Sequence, residues 1–233
     1  MNIYPIQALS DNYIWIIEEG REAVVVDPGE AEGVLDLLEE YQLHLTAILL
    51  THNHHDHTDG VKEILEEYPD TPVYGPEETR ALSGKVFNDG DAFELLGKNV
   101  EVFKTAGHTE GHISYLIEDA LLCGDALFSA GCGRVFTGDY QAQYDALQTF
   151  KGLDDEVKVY AAHEYTQTNL RFAQSMQPSN TKLSAALEEV DALRAKGRPT
   201  LPSTIGKEKD INLFLQAETL ETFIELRNAR DDF

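Results

Sequence analysis

The stretch LTAILLTHNHHDHTDG, residues 45–60, runs from an apolar segment straight into four histidines within six positions, with an aspartate among them. The apolar part reads as a buried strand, and the histidines begin at its C-terminal end. His52 and His54 are two apart, so in an extended segment they point the same way. Asp56 and His57 follow after the chain has turned towards a helix over VKEILEEY (61–68). One short segment therefore offers two imidazoles to one metal ion, and a carboxylate plus an imidazole to a second. Imidazole and carboxylate donors suit zinc, manganese or iron. The absence of clustered thiolates argues against a structural zinc finger.

Outward from this point the first 165 or so residues alternate strand-like runs with amphipathic helices. YIWIIEE (13–19) and EAVVVDPG (22–29) read as neighbouring strands joined by a turn at Glu19-Gly20-Arg21. AEGVLDLLEEY (31–41) places Val34, Leu37, Leu38 and Tyr41 on one helical face. TPVYGP (71–76), NVEVFKTAGH (99–108), HISYLIED (112–119), ALLCGDAL (120–127) and VKVYAAHEY (157–165) read as further strands. DYQAQYDALQTF (139–150) reads as a helix. His52, His108, Asp125 and His163 thus all fall at or just after strand ends, where an α/β protein builds its sites. After residue 166 the pattern becomes helical through TQTNLRFAQSM and SNTKLSAALEEVDALRAKG. The Pro-punctuated stretch GRPTLPSTIG then precedes a last helix near ETLETFIELRNAR.

The remaining polar residues near the cluster have simpler expected roles. His55 points away from the paired ligands, His112 opens a strand as a hydrogen-bonding residue, and His44 is a surface histidine. Asp59 is placed to cap the following helix. Cys123 sits in an apolar strand and reads as a small buried residue.

Composition narrows the partners. The chain has 233 residues, 42% of them hydrophobic, and only two cysteines. A substantial core is expected, with no disulfide framework and a reducing, cytoplasmic setting. The start MNIYPIQALSDNYIW lacks a signal-peptide pattern, and no run reaches membrane-spanning length. A formal net charge of −24 disfavours nucleic acid and anionic membrane as partners.

Beyond the cluster, GHTEGH (107–112), CGDALFSAGCGR (123–134) and AAHEYTQTNLRFA (161–173) follow in order, with DNYIW before it and PSTIG ahead of the last helix. THNHHDH resembles the T-H-x-H-x-D-H signature of the metallo-β-lactamase superfamily. The later motifs resemble the hydroxyacylglutathione hydrolases (glyoxalase II) over nearly the whole chain. That resemblance implies an α/β fold, an αββα metallo-β-lactamase-like sandwich with a C-terminal helical domain. The catalytic domain would span 1–165 and the helical, glutathione-binding domain 166–233. It further implies two divalent metal ions per chain, chiefly zinc, with iron or manganese as alternatives. His52, His54 and His108 would bind the first, Asp56, His57 and His163 the second, with Asp125 bridging. Asp56 and Asp125 would act in catalysis with a metal-bridging hydroxide, because a bound metal lowers the pKa of water to about 7.

The substrate implied is a small glutathione thioester, S-(2-hydroxyacyl)glutathione, and a monomer is expected. Arg134, Phe136 and Tyr165 match the family's glutathione-contact positions, Phe136 replacing a tyrosine found in some members. The chain departs from the family in NLFLQAET (212–219), where Gln216 and Thr219 replace two basic residues. Lys207, Lys209 or Arg227 are the cations available to take over that work. The competing reading is an iron-dependent glutathione persulfide dioxygenase on the same scaffold, which generally lacks the HEY segment and the long helical tail.

Overall fold

The computed structural model describes all 233 residues, and they form two compact units. The first comprises Met1–Lys104 with Glu110–Glu118, the second Thr105–Thr109 with Asp119–Phe233.

In the first unit β1 (Asn2–Ala8), β2 (Asn12–Glu19) and β3 (Glu22–Val26) pair antiparallel in sequence order. α1 (Glu32–Tyr41) then crosses to β4 (His44–Leu49), which lies parallel to β3. The short α2 (His55–Thr58) and α3 (Val61–Glu67) lead to β5 (Val73–Gly75). A single 3₁₀ turn, Glu77–Thr79, precedes β6 (Lys85–Val86). Both of these strands continue the parallel run, giving the sheet order β1-β2-β3-β4-β5-β6. β7 (Ala92–Leu95), β8 (Lys98–Lys104) and β9 (Ile113–Ile117) form an antiparallel meander.

Burial explains why these runs become strands and helices. Ile14, Ile16, Ala23 and Val25 pack in one cluster with Val34 and Leu38 of α1 and Val61 and Ile64 of α3. The alternate residues Tyr13, Trp15, Ile17, Val24 and Val26 are buried as well, so β2 and β3 are apolar on both faces. Each fully buried aliphatic side chain contributes about 1.5–3 kcal/mol relative to exposure. α1 ends where Gln42 turns left-handed, its backbone N–H reaching back to the Glu39 and Leu38 carbonyls. Tyr41, expected on the buried face, is instead 60% exposed because it sits in this final turn. β1 carries no clear apolar alternation, since its side chains are mostly half-buried on both faces.

The second unit holds β10 (Ala120–Gly124), parallel to β11 (Lys158–Ala161), which pairs antiparallel with the two-residue β12 (Ser203–Thr204). α4 (Tyr140–Lys151) is capped by the Asp139 carboxylate, which accepts from the Ala142 N–H at 3.0 Å. α5 (Thr166–Met176) and α6 (Thr181–Arg194) meet through Leu170, Ala173, Leu183, Ala186 and Val190. α7 (Ile205–Ile211), α8 (Leu213–Gln216) and α9 (Leu220–Asp231) complete the chain. The Pro-punctuated stretch therefore ends in β12 and the start of α7, and two short helices precede the last one. No helix is long and apolar enough to cross a membrane.

Candidate metal centre

Each unit gathers its own set of donors. In the first, β4 ends at Leu49 and the chain turns through Thr51 to His52, His54, Asp56 and His57. The Asp27 carboxylate, buried at the end of β3, organises this turn. It accepts from the Thr51 N–H at 2.7 Å and from the Thr51 hydroxyl at 2.6 Å, and it faces His57 Nδ1 at 3.1 Å. Asn12, also buried, donates to the Asp56 carboxylate at 3.0 Å and towards its backbone carbonyl at 3.3 Å. The chain passes so close that a Cβ at Gly29 would overlap the Asp56 carbonyl.

In the second unit Asp125 follows β10, and its two carboxylate oxygens each face an imidazole. Oδ2 lies 3.3 Å from His108 Nε2 and Oδ1 lies 3.3 Å from His163 Nε2. All three side chains are buried. His108 Nδ1 points at the Arg134 carbonyl at 2.8 Å. A Cβ at Gly133 would overlap the Asp125 carbonyl oxygen, so glycine is required where this loop returns.

The hydrogen-bond partners decide the tautomers. A carbonyl oxygen can only accept, so His108 carries a proton on Nδ1, and Nε2 is the nitrogen it turns towards Asp125. His57 is held the same way by Asp27, and its Nε2 faces Asp56 Oδ2 at 3.4 Å. The Thr51 hydroxyl, which donates to Asp27, accepts from His52 Nδ1 at 3.0 Å. His52 Nε2 is thereby the accepting nitrogen, 3.1 Å from His54 Nδ1, which can donate to it. Ring nitrogens set this close to carboxylate oxygens need a proton or a metal ion between them. The donor chemistry of both sets therefore fits divalent metal.

The surrounding residues sort as follows. Tyr165 stacks on His163 with ring centroids 4.7 Å apart and planes 7° apart, and Phe128 meets both rings edge-on. Phe136, 63% exposed, stands 5.3 Å from the His108 ring. Arg134 lies beside it, 5.9 Å from the Phe136 ring centroid, with Nε 3.2 Å from Asp231. His55 is exposed and pairs with Asp59, and His44 is exposed and pairs with Glu22. His112 is buried and stacks on His52 at 4.9 Å. Asp59 does not cap α3 with its side chain. It ends α2 in a helical conformation, and α3 begins at Gly60 without a side-chain cap. Gln216 donates to the Lys209 carbonyl at 3.0 Å, and the Thr219 hydroxyl caps α9 by accepting from the Thr222 N–H.

The comparisons with known proteins follow the same division of motifs. The model of the metallo-beta-lactamase superfamily matches residues 9–163, and that of the hydroxyacylglutathione hydrolase C-terminus matches 164–233. The hydroxyacylglutathione hydrolase of Glaesserella parasuis serovar 5 (strain SH0165) is 56% identical over 234 residues, covering 100% of both chains. The chain belongs to the hydroxyacylglutathione hydrolase family. The same-named protein of Actinobacillus pleuropneumoniae serotype 5b (strain L20) is 50% identical, again over 100% of both chains. Among solved structures, ETHE1 from Myxococcus xanthus superposes with a TM-score of 0.75 at 27% identity, covering 98% of this chain and 90% of that one. The BLEG-1 B3 metallo-beta-lactamase superposes at 0.70 with 22% identity, covering 93% and 99%, a likeness of fold alone. The protein is a thioester hydrolase with the metallo-β-lactamase fold and a helical C-terminal region.

Two residues of this arrangement escape sequence reasoning. Asp27 could have been found in the DPG that closes a buried strand, where a charged residue needs a partner. Asn12 carries no local signal, because its role exists only once β2 lies beside the histidine turn.

Proposed function

We propose that this member of the family hydrolyses the thioester of S-(2-hydroxyacyl)glutathione, chiefly S-D-lactoylglutathione, to glutathione and D-lactate. The observation that carries the reading is the set of imidazoles whose Nδ1 atoms are committed to acceptors, leaving Nε2 lone pairs aimed at other donors. His52, His54 and His108 would hold one divalent cation and Asp56, His57 and His163 a second, with Asp125 shared between them. Zinc is the first choice, and iron or manganese suits the same donors. Bound there, the cations supply hydroxide at neutral pH and polarise the thioester carbonyl.

The protein's own residues fix the rest. Asp27, Thr51 and the Arg134 carbonyl hold the Nδ1 side of each ring, so that His57, His52 and His108 would present Nε2 to a metal. Arg134, with its planar fork, suits a substrate carboxylate, and Phe136 and Tyr165 supply flanking rings for the glutathione portion. The departing thiolate has an ordinary pKa near 8.5, so a dedicated acid is unnecessary. Residues 1–165 form the catalytic domain in this reading and 166–233 the glutathione-binding domain. The enzyme works as a cytoplasmic monomer.

The rival persulfide dioxygenase reading draws on the 27% identity to ETHE1. It is outweighed by relatives of 50–56% identity named hydroxyacylglutathione hydrolase over the full chain. Metal analysis together with a thiol-release assay on S-lactoylglutathione tests the proposal. Two metals per chain are expected, with turnover that a chelator abolishes and added zinc restores. One iron per chain with oxygen uptake on a persulfide, or no thiol release, would overturn it.

A further inference from the structure

The loop from Phe128 to Cys132 runs between Asp125 and Arg134 and is gripped at every residue by the helices that follow it. Asn212 donates one amide to the Phe128 carbonyl at 3.1 Å and to the Gly131 carbonyl at 2.9 Å. Asn169 donates to the Ser129 carbonyl at 3.1 Å. Arg227 donates from Nη1 to the Cys132 carbonyl at 2.8 Å. Glu208 accepts from the Ala130 N–H at 2.7 Å and from the Ser129 hydroxyl at 2.8 Å, and it also takes bonds from Ser203 and Asn212. All four gripping side chains are buried, and Glu208 is fully so. Ala130 is held at a φ of 56°, a left-handed conformation that a non-glycine residue adopts only under constraint.

This grip is costly for a loop that merely connects elements. A carboxylate buried without a cationic partner sacrifices solvation, and four polar side chains give up rotamer freedom. What the loop delivers lies at its two ends. Asp125 precedes it and faces both His108 and His163, while Arg134 follows it and fixes the His108 tautomer through its carbonyl. Gly133 closes the loop against the Asp125 backbone.

We infer that Glu208, with Asn169, Asn212 and Arg227, acts as a positioning clamp that sets the geometry of Asp125 and His108 through the Phe128–Cys132 loop. The C-terminal helices thereby govern metal retention as well as substrate contact. The inference rests on the dinuclear reading above. Outer partners of metal ligands typically govern metal affinity by 10- to 100-fold, and the clamp acts one step further out through backbone.

The test compares Glu208→Ala, Glu208→Gln and Leu38→Ala in the full chain loaded with zinc. Leu38 is a buried residue of α1, packed in a core cluster that contains no residue of the loop or of the clamp, so its truncation lowers stability without loosening the loop. Zinc release to a competing chromophoric chelator is read beside the melting temperature and beside kcat and KM. Glu208→Ala should speed release of zinc by about 10-fold or more and lower kcat with KM little changed. Leu38→Ala should lose melting temperature and keep wild-type retention. Glu208→Gln should recover most of the retention. Its amide can donate to the two serine hydroxyls while its oxygen accepts from Ala130 and Asn212.

Wild-type retention in Glu208→Ala, or zinc loss in Leu38→Ala in step with its melting temperature, would overturn the clamp. Should Glu208→Ala fail to fold, Asn169→Ala carries the same comparison, since within the loop it frees only the Ser129 carbonyl and otherwise gives up only the long bonds from Arg230 at 3.4 Å. Wild-type protein holding fewer than two metals would instead sink the dinuclear reading, a result visible before any variant is made.

Discussion

At the residue scale the two donor sets share one device. A side-chain or backbone acceptor takes the Nδ1 proton of an imidazole, and the opposite nitrogen is thereby the one a metal would take. Asp27 does this for His57 and also holds Thr51, which in turn orients His52. Asp27→Asn keeps the shape but replaces one accepting oxygen with an N–H donor. It should reduce kcat about 10- to 100-fold and weaken metal binding, with the melting temperature far less affected. Steady-state kinetics beside metal analysis would show it, and unchanged kcat with full metal would disprove the role. The two cysteines illustrate the opposite case. Burial pushes both thiols above their ordinary pKa, so little reactive thiolate forms near neutral pH. Neither Cys123 nor Cys132 should react with iodoacetamide in the native protein, while both should react in denaturant. Rapid native alkylation counted by mass spectrometry would contradict their inert packing.

At the scale of elements, the departure from the family in NLFLQAET acquires a structural meaning. Gln216 closes α8 onto the Lys209 carbonyl of α7, and Thr219 caps α9. The cations that could compensate are already engaged. Lys207 pairs with Glu189, Lys209 with Asp155, and Arg227 is buried against the Cys132 carbonyl. Restoring a basic residue should therefore improve substrate binding. A charge-assisted hydrogen bond is worth about 1.5–3 kcal/mol, so Gln216→Arg should lower KM about tenfold or more with kcat unchanged. An unaltered KM would show that another cation already does this work. The companion change Thr219→Lys is different in kind, because it removes a helix cap. It should cost about 0.5–2 kcal/mol in chemical denaturation whatever it does for binding.

At the scale of the whole molecule, the net charge of −24 sets the encounter with an anionic thioester. The surrounding field would repel such a substrate, and in the proposed function local cations such as Arg134 draw it in. Salt screens the long-range repulsion, with a Debye length of about 10 Å at 0.1 M, more than it weakens close contacts. The ratio kcat/KM should therefore rise a few-fold between very low ionic strength and about 0.1 M. A steady fall with salt would mean that the cations near the site dominate approach from afar.

Much of this organisation is legible in the chain. His52, His54, Asp56 and His57 are grouped because one strand end followed by a helical turn displays them together, a local fact. The strands through Ile14, Val24 and Ile48 are equally local, since burial on both faces leaves continuous apolar runs. Helix-terminal detail is less legible. Tyr41 has the right period but lies in the last turn of α1, and Asp59 has the right chemistry but ends α2, one residue ahead of the Gly60 that starts α3. Local sequence also could not show which acceptors would fix the ring tautomers. Asp27 lies 30 residues from His57, and Arg134 lies 26 from His108. Nor could it show that Glu208, 78 residues beyond Ala130, holds the loop between Asp125 and Arg134. Sequence determines donors because side-chain chemistry and strand-end placement are written locally. Tertiary structure alone decides their orientation, because a proton is placed by whichever acceptor the fold brings within about 3 Å.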